Sequence, residues 1–304
     1  MKYIITGVNG QLGHDVVLEL LSRGVLEKDI HGLDINDMDI TNRDNVFEVF
    51  KEIEPDVVIH CAAFTKVDRA EEESNLCYNV NTLGTRNIVE AARSFDSKMV
   101  YISTDYVFDG TKSIPYKEDD LTNPLSVYGD TKLKGELVTK NYPKHFIFRT
   151  AWVFGINGNN FIKTMLKLSD AHDTVTVVND QVGSPTYTKD LARLICDAVE
   201  TEKYGVYHAT NEGFTSWADF AKYIFEVGGK ETKVIPVTTE EYVKKMPQQV
   251  ARPKMSMLSK DKLADAGFKR LPSWKDATDR YIEELKTLEK SQKNTEKKTN
   301  VRKR

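Results

Sequence analysis

The chain has 304 residues, 40% of them hydrophobic and 29% charged, with a formal net charge of −3. That length suits one large domain or two closely joined ones, and that composition a soluble globular protein. No apolar run approaches the ~20 residues of a membrane span. The first residues enter a strand pattern rather than a leader, so a cytoplasmic protein with no membrane contact is expected.

Residues 2–6 read as a short buried strand, followed at once by Gly7-Val-Asn-Gly10-Gln-Leu-Gly13. A helical pattern then runs over 11–23, with Leu12, Val16, Val17 and Leu20 on one stripe. Strand, glycine turn and helix in that order form a dinucleotide site, here with GxxGxxG spacing. The glycines let the backbone approach a pyrophosphate, whose charge is favoured at a helix N-terminus. Gly7, Asn9, Gly10, Gln11, Leu12 and Gly13 are the candidates for that contact.

A second strand over 29–33 ends at Asp34, where a carboxylate can bond the adenosine ribose hydroxyls; Asp39 and Ile40 follow, within reach of the adenine. Thr41 followed by Asp44 reads as the capping signal of a helix over 43–53. A strand over 57–60 closes on Cys61, Ala62 and Ala63, small enough to pack against a cofactor. A helix over 79–93 and a strand over 99–103 lead to Ser103, Thr104 and Asp105 at the same rim.

The next helix, roughly 127–139, carries Tyr128 and Lys132 four residues apart and therefore on one face. A neighbouring ammonium favours phenolate and is expected to lower the tyrosine pKa from about 10 toward neutrality. A phenol so tuned can pass a proton to an alkoxide or take one from an alcohol. With a strand over 146–150, the alternation predicts an α/β fold: a Rossmann-type doubly wound parallel sheet with its ligands beyond the strand C-termini.

After 150 the pattern loosens. Helices are expected over 161–168, 191–200, 217–227 and 274–288, and strands near 175–178 and 206–208. No second glycine fingerprint occurs. The division expected is a dinucleotide-binding domain over 1–150 and a smaller α/β substrate-binding domain over 151–288, with some segments returning to the first. Residues 286–304 hold eight Lys/Arg against two Glu. Without interleaved aromatics, 289–304 reads as a disordered basic tail rather than a nucleic-acid contact. Cys61, Cys77 and Cys196 lack metal spacing and read as reduced thiols.

These motifs together resemble the extended short-chain dehydrogenase/reductase superfamily and, in detail, its dTDP-4-dehydrorhamnose reductase family. The carrying stretches are the glycine turn, CAAFTKVD at 61–68, STDYVFDG at 103–110 and Tyr128 with Lys132. FRTAWVFG at 148–155, GNNF at 158–161, NDQVGSPT at 179–186 and ARPKMS at 251–256 complete them, over about residues 1–285. The resemblance implies a hydride from NADPH or NADH to the 4-keto carbon of dTDP-4-dehydro-L-rhamnose. Tyr128 would be the general acid, Lys132 would bond the nicotinamide ribose, and Thr104 would bond the C4 oxygen. Thr65, Val67, Asp105, Tyr128 and Trp152 would line the sugar pocket, Thr65, Ala62 and Ala63 would border the cofactor, and Arg252 would meet the diphosphate.

Asp34, with no basic residue directly after it, argues for NADH because a carboxylate repels a 2′-phosphate, whereas the family commonly uses NADPH. The preference stays open. Some members bridge a dimer through acidic residues and magnesium. Asp15 would be such a ligand here, but Lys189 stands where a second acid belongs, so no required metal and a monomer or weak homodimer are expected. Two other readings stay open: a nucleotide-sugar epimerase or other 4-ketoreductase, and a non-catalytic regulatory subunit of the same fold.

Overall fold

The structure, a computed structural model, describes residues 1–245 and 250–302. Its centre is a six-stranded, wholly parallel sheet. In chain order its strands are β1 (Tyr3–Thr6), β2 (Ile30–Leu33), β3 (Val57–His60), β4 (Lys98–Thr104), β5 (His145–Thr150) and β10 (Gly205–His208), placed β10-β5-β4-β3-β1-β2 across the sheet. The chain leaves β1 toward β2, then crosses back to β3 on the other side. That reversal at β1 opens the crevice in which such sheets bind ligands.

Strand alternation assigns the two faces. Tyr3, Ile5, Val57, Ile59, Val100, Phe146 and Phe148 point to one, where they pack against α1 (Gln11–Ser22) and α8 (Thr188–Val199) through Leu12, Val16, Leu20, Leu191 and Ile195. Ile4, Val58, Met99, Tyr101 and Ile147 point to the other, under α2 (Arg43–Ile53) and α5 (Thr85–Ser94). Helix α8 and strand β10 lie beyond residue 150, yet both belong to this layer. The α2 cap is Asn42, whose side chain accepts from Asn45 N, so the Thr41/Asp44 signal was one residue early.

The expected 79–93 helix is built in pieces. It is entered through α3 (Val67–Glu72) and α4 (Ser74–Tyr78), and Asn79–Gly84 forms a π-helical turn before α5. Helix α6 (Val127–Lys140) starts from Ser126, whose hydroxyl accepts from Gly129 N at 3.1 Å.

A third apolar cluster holds the smaller lobe together. It joins β6 (Val153–Phe154), α7 (Phe161–Ser169), β7 (Thr174–Val178), β9 (Thr186–Tyr187), α9 (Trp217–Gly228) and α12 (Trp274–Arg302) through Phe154, Met165, Val177, Tyr187, Phe220, Trp274 and Tyr281. The short β8 (Val182–Gly183) pairs with β11 (Thr215–Ser216), and β12 (Lys233–Val237) with β7. Helix α12 continues to Arg302, so 289–302 is helical where a disordered tail was expected. Its Glu, Lys and Gln are good helix formers, which a charge count overlooks. Residues 303 and 304 lie outside the described residues.

Candidate active site

The glycine turn is as tight as its spacing suggests. Gly7 has φ +67, and a Cβ there would meet Ala62 Cα and N at 2.8 Å. A Cβ on Gly13 would lie 2.4 Å from Gly7 O. Gly10, at the N-cap of α1, offers no side-chain cap. The amides of the first turn, Gln11, Leu12 and Gly13, therefore have no intrahelical acceptor and suit a phosphate.

Asp34, just past β2, accepts from Asn9 N at 3.3 Å and Ile35 N at 2.8 Å, which aims its carboxylate at the turn. These features fit a dinucleotide. The side chains of Leu12, Gln11, Asp39 and Ile40 are occupied elsewhere. Leu12 is core, and Asp39 Oδ1 accepts from Thr41 N and Oγ1 at 2.9 and 2.7 Å. Ile40 packs where Gly84 has no Cβ. Gln11 Oε1 accepts from Gly155 N at 2.9 Å and Asn160 Nδ2 at 3.0 Å, tying the turn to the GNNF stretch.

At the end of β4 the hydroxyl of Thr104 donates to Asp105 Oδ1 at 3.0 Å and faces the Tyr128 phenol. Tyr128 is half-buried, with the Tyr106 ring edge-on at 5.6 Å. One turn along α6, Lys132 is only 4% exposed, its Nζ 4.2 Å above the Tyr101 ring.

The expected tuning is reversed among the protein's own groups. Burial pushes the Tyr128 phenol above its ordinary value, with Asp105 and Tyr106 adding to the rise, while burial pushes the Lys132 ammonium down to about 7. Desolvation penalises phenolate and ammonium alike, and it is the largest cause for each. Asp105 is 2% exposed, and burial raises it to about 6. Ser256 faces its carboxyl without closing a well-directed bond to Oδ2.

The remaining candidates surround this point. Ala62 N donates to Thr6 Oγ1 at 3.1 Å, Ala63 is half-buried beside it, Thr65 is exposed, and Val67 opens α3. Trp152 has φ +49, unusual for a bulky residue, and stacks on Trp217 at 3.6 Å. Arg252 donates to Asp68 Oδ2 at 2.9 Å and lies beside the Tyr106 hydroxyl. The later motifs converge as backbone: a Cβ on Gly110 would lie 2.6 Å from Lys254 N, and Val182 N donates to Lys254 O at 2.7 Å. Asp15 faces inward to accept from Thr188, and Lys189 pairs with Glu284.

Sequence reasoning missed three buried polar residues. Asn81, in the π-turn, accepts from Phe64 N at 2.8 Å and donates to Thr131 Oγ1 at 3.1 Å, fixing the 61–67 loop to α6. An asparagine inside a helical pattern, where it is a poor former, was the available signal. Glu136 and Arg149 form a buried bidentate pair, unsignalled by any local pattern.

The RmlD substrate binding domain model matches residues 1–287. A dTDP-4-dehydrorhamnose reductase from Aggregatibacter actinomycetemcomitans is 42% identical, over 87% of this chain and 92% of that protein. Among solved structures, a dTDP-4-dehydrorhamnose reductase from Clostridium acetobutylicum is 44% identical with a TM-score of 0.88, covering 94% of this chain and all of that one. The Bacillus anthracis reductase in complex with NADP is 43% identical with a TM-score of 0.89, covering 93% of this chain and 100% of that one.

Proposed function

We propose a reaction on one premise: the chain belongs to the RmlD substrate-binding-domain family, with the dTDP-4-dehydrorhamnose reductases. It is an NAD(P)H-dependent oxidoreductase that reduces the 4-keto group of dTDP-4-dehydro-L-rhamnose to dTDP-L-rhamnose, the last step in making that nucleotide sugar. The carrying observation is the cluster at the rim of β4: buried Thr104 facing the half-buried Tyr128, with buried Lys132 one helical turn away.

When bound, the reduced nicotinamide supplies the hydride. The glycine turn over Gly7, Asn9, Gly10, Gln11, Leu12 and Gly13 holds the pyrophosphate, and Asp34 the adenosine ribose. Tyr128, kept protonated at neutral pH by its burial, donates a proton to the C4 oxygen as charge develops there. Thr104 bonds that same oxygen beside the phenol. Lys132 holds the nicotinamide ribose and stabilises the phenolate left behind. Thr65, Val67, Asp105 and Trp152 shape the sugar site. Arg252, poised by Asp68 and Tyr106, has donors remaining for the diphosphate. The enzyme acts as a monomer or weak homodimer, without a required metal.

The test is oxidation of NADPH, and separately NADH, with dTDP-4-dehydro-6-deoxyglucose plus a 3,5-epimerase that supplies the substrate. Epimerase-dependent loss of reduced cofactor with dTDP-L-rhamnose as product is expected. No oxidation of either cofactor would refute the assignment.

A further inference from the structure

Behind the Tyr128–Lys132 pair lies a fully buried ionic cluster that the reaction above does not use. Glu136 sits one turn past Lys132 on α6 and is 0% exposed; Arg149, on β5, is 1% exposed. Arg149 Nε and Nη2 donate to the two Glu136 oxygens at 2.8 Å each, and Ser103 Oγ donates to Oε1 at 2.6 Å. Arg149 is fastened in turn by Glu118 O at 3.1 Å and by the Phe108 ring beneath it. The clamp therefore joins α6, β4 and β5 directly behind the reacting groups, since Ser103 precedes Thr104.

A buried ion pair is weak ground for stability, because an apolar pair of the same size does as well or better. What its charge does nearby is the better question. The groups facing Lys132 are Glu136 from α6, Tyr101 from β4, His60 and Cys61 from the end of β3, and Cys77 from α4. Burial holds His60 neutral and both thiols protonated, and the Tyr101 hydroxyl is spent on Lys132 O. Glu136 is thus the one carboxylate in that set among the described residues. Its spacing from Lys132 is the four residues that share a helix face.

We propose that Glu136 is a positioning residue for this reaction: clamped by Ser103 and Arg149, its carboxylate is the buried counter-charge that keeps the Lys132 ammonium charged and aimed at the cofactor ribose. This rests on the reading of Lys132 given above. Ser103 and Arg149 act through Glu136, fixing where its charge stands. Without that charge, Lys132 would lose its proton at a lower pH and present a neutral amine.

The test reads Lys132 itself. The full chain is labelled with ¹³Cε-lysine and titrated by NMR without nucleotide, the resonance being assigned by its absence in Lys132→Met. The midpoint is expected near 7 in the parent and lower by about one pH unit in Glu136→Gln. The double variant Glu136→Met/Arg149→Met removes the carboxylate and the guanidinium together, and should show a smaller drop, because the Arg149 charge that opposes the Lys132 ammonium leaves as well. An unmoved midpoint in Glu136→Gln, or a midpoint above the parent's in the double, overturns the proposal. The alkaline limb of kcat/KM for NAD(P)H should fall with the midpoint. A moved midpoint beside a stationary limb would instead overturn the catalytic reading of Lys132, and Glu136's role with it.

Discussion

Lys132→Met should make the protein more stable while abolishing its turnover. The lysine is 4% exposed, and burial lowers it from 10.5 to about 7. At 1.36 kcal/mol per unit, holding the ammonium there costs roughly 5 kcal/mol once both folded and unfolded states are protonated, and about 4 at pH 7. Methionine has a similar unbranched volume and no charge. It gives up the cation–π contact with Tyr101, worth about 0.5–2 kcal/mol, which leaves a net gain of about 2–4 kcal/mol.

The pH dependence has a definite sign. Between the folded and unfolded values the unfolded chain binds the extra proton, so the parent gains stability as pH rises from about 7 to about 10.5, and the variant has nothing to gain. The gap should therefore be wide at pH ~7 and close to zero at pH ~10. Urea unfolding followed by tryptophan fluorescence, at both pH values and without nucleotide, measures it. A gap of equal size at both, or a parent more stable than the variant at neutral pH, would refute the reasoning.

Tyr128→Phe should leave cofactor affinity within a few-fold and lower turnover by about 10²–10⁴, the loss expected of a missing general acid; steady-state kinetics with NADPH titration reads both. Gly13→Ala places a methyl 2.4 Å from Gly7 O, backbone against backbone. The turn must yield at a cost of about 1–3 kcal/mol, and NADPH affinity measured by calorimetry should fall about tenfold or more. His60 is buried between Thr6 and Thr85 and lowered to about 3, chiefly by desolvation. Its folded value lies below the unfolded one, so its stabilisation is complete above about pH 6.5 and lost on acidification, by about 3 kcal/mol at pH ~4. His60→Asn should flatten that decline in urea unfolding, and an unchanged slope would exclude His60 as its source.

Much of this molecule is legible in its sequence because the signals are local. Tyr3–Thr6 and Val57–His60 are apolar up to their last residue and buried throughout because both faces of a parallel strand are covered, and the 3.6-residue stripe of Leu12, Val16 and Leu20 needs only its own helix. Gly7 and Gly13 announce a backbone approach that no other residue permits. The four-residue step from Tyr128 to Lys132 shares a face wherever the helix lies.

What the tertiary structure decided is depth and partnership. Burial reversed the inferred direction for the Tyr128 phenol, because desolvation is set by everything packed around a group and by nothing adjacent in the chain. The partner of Arg252 is Asp68, 184 positions away, that of Gln11 is the 155–160 loop, and that of Glu136 on α6 is Arg149 on β5. Strand β10 and helix α8 return to the first sheet layer because the apolar faces of β5 and α1 would otherwise meet water. A sequence states which residues can do chemistry; only the packed fold sets the dielectric and the neighbours that determine which charge state each one holds.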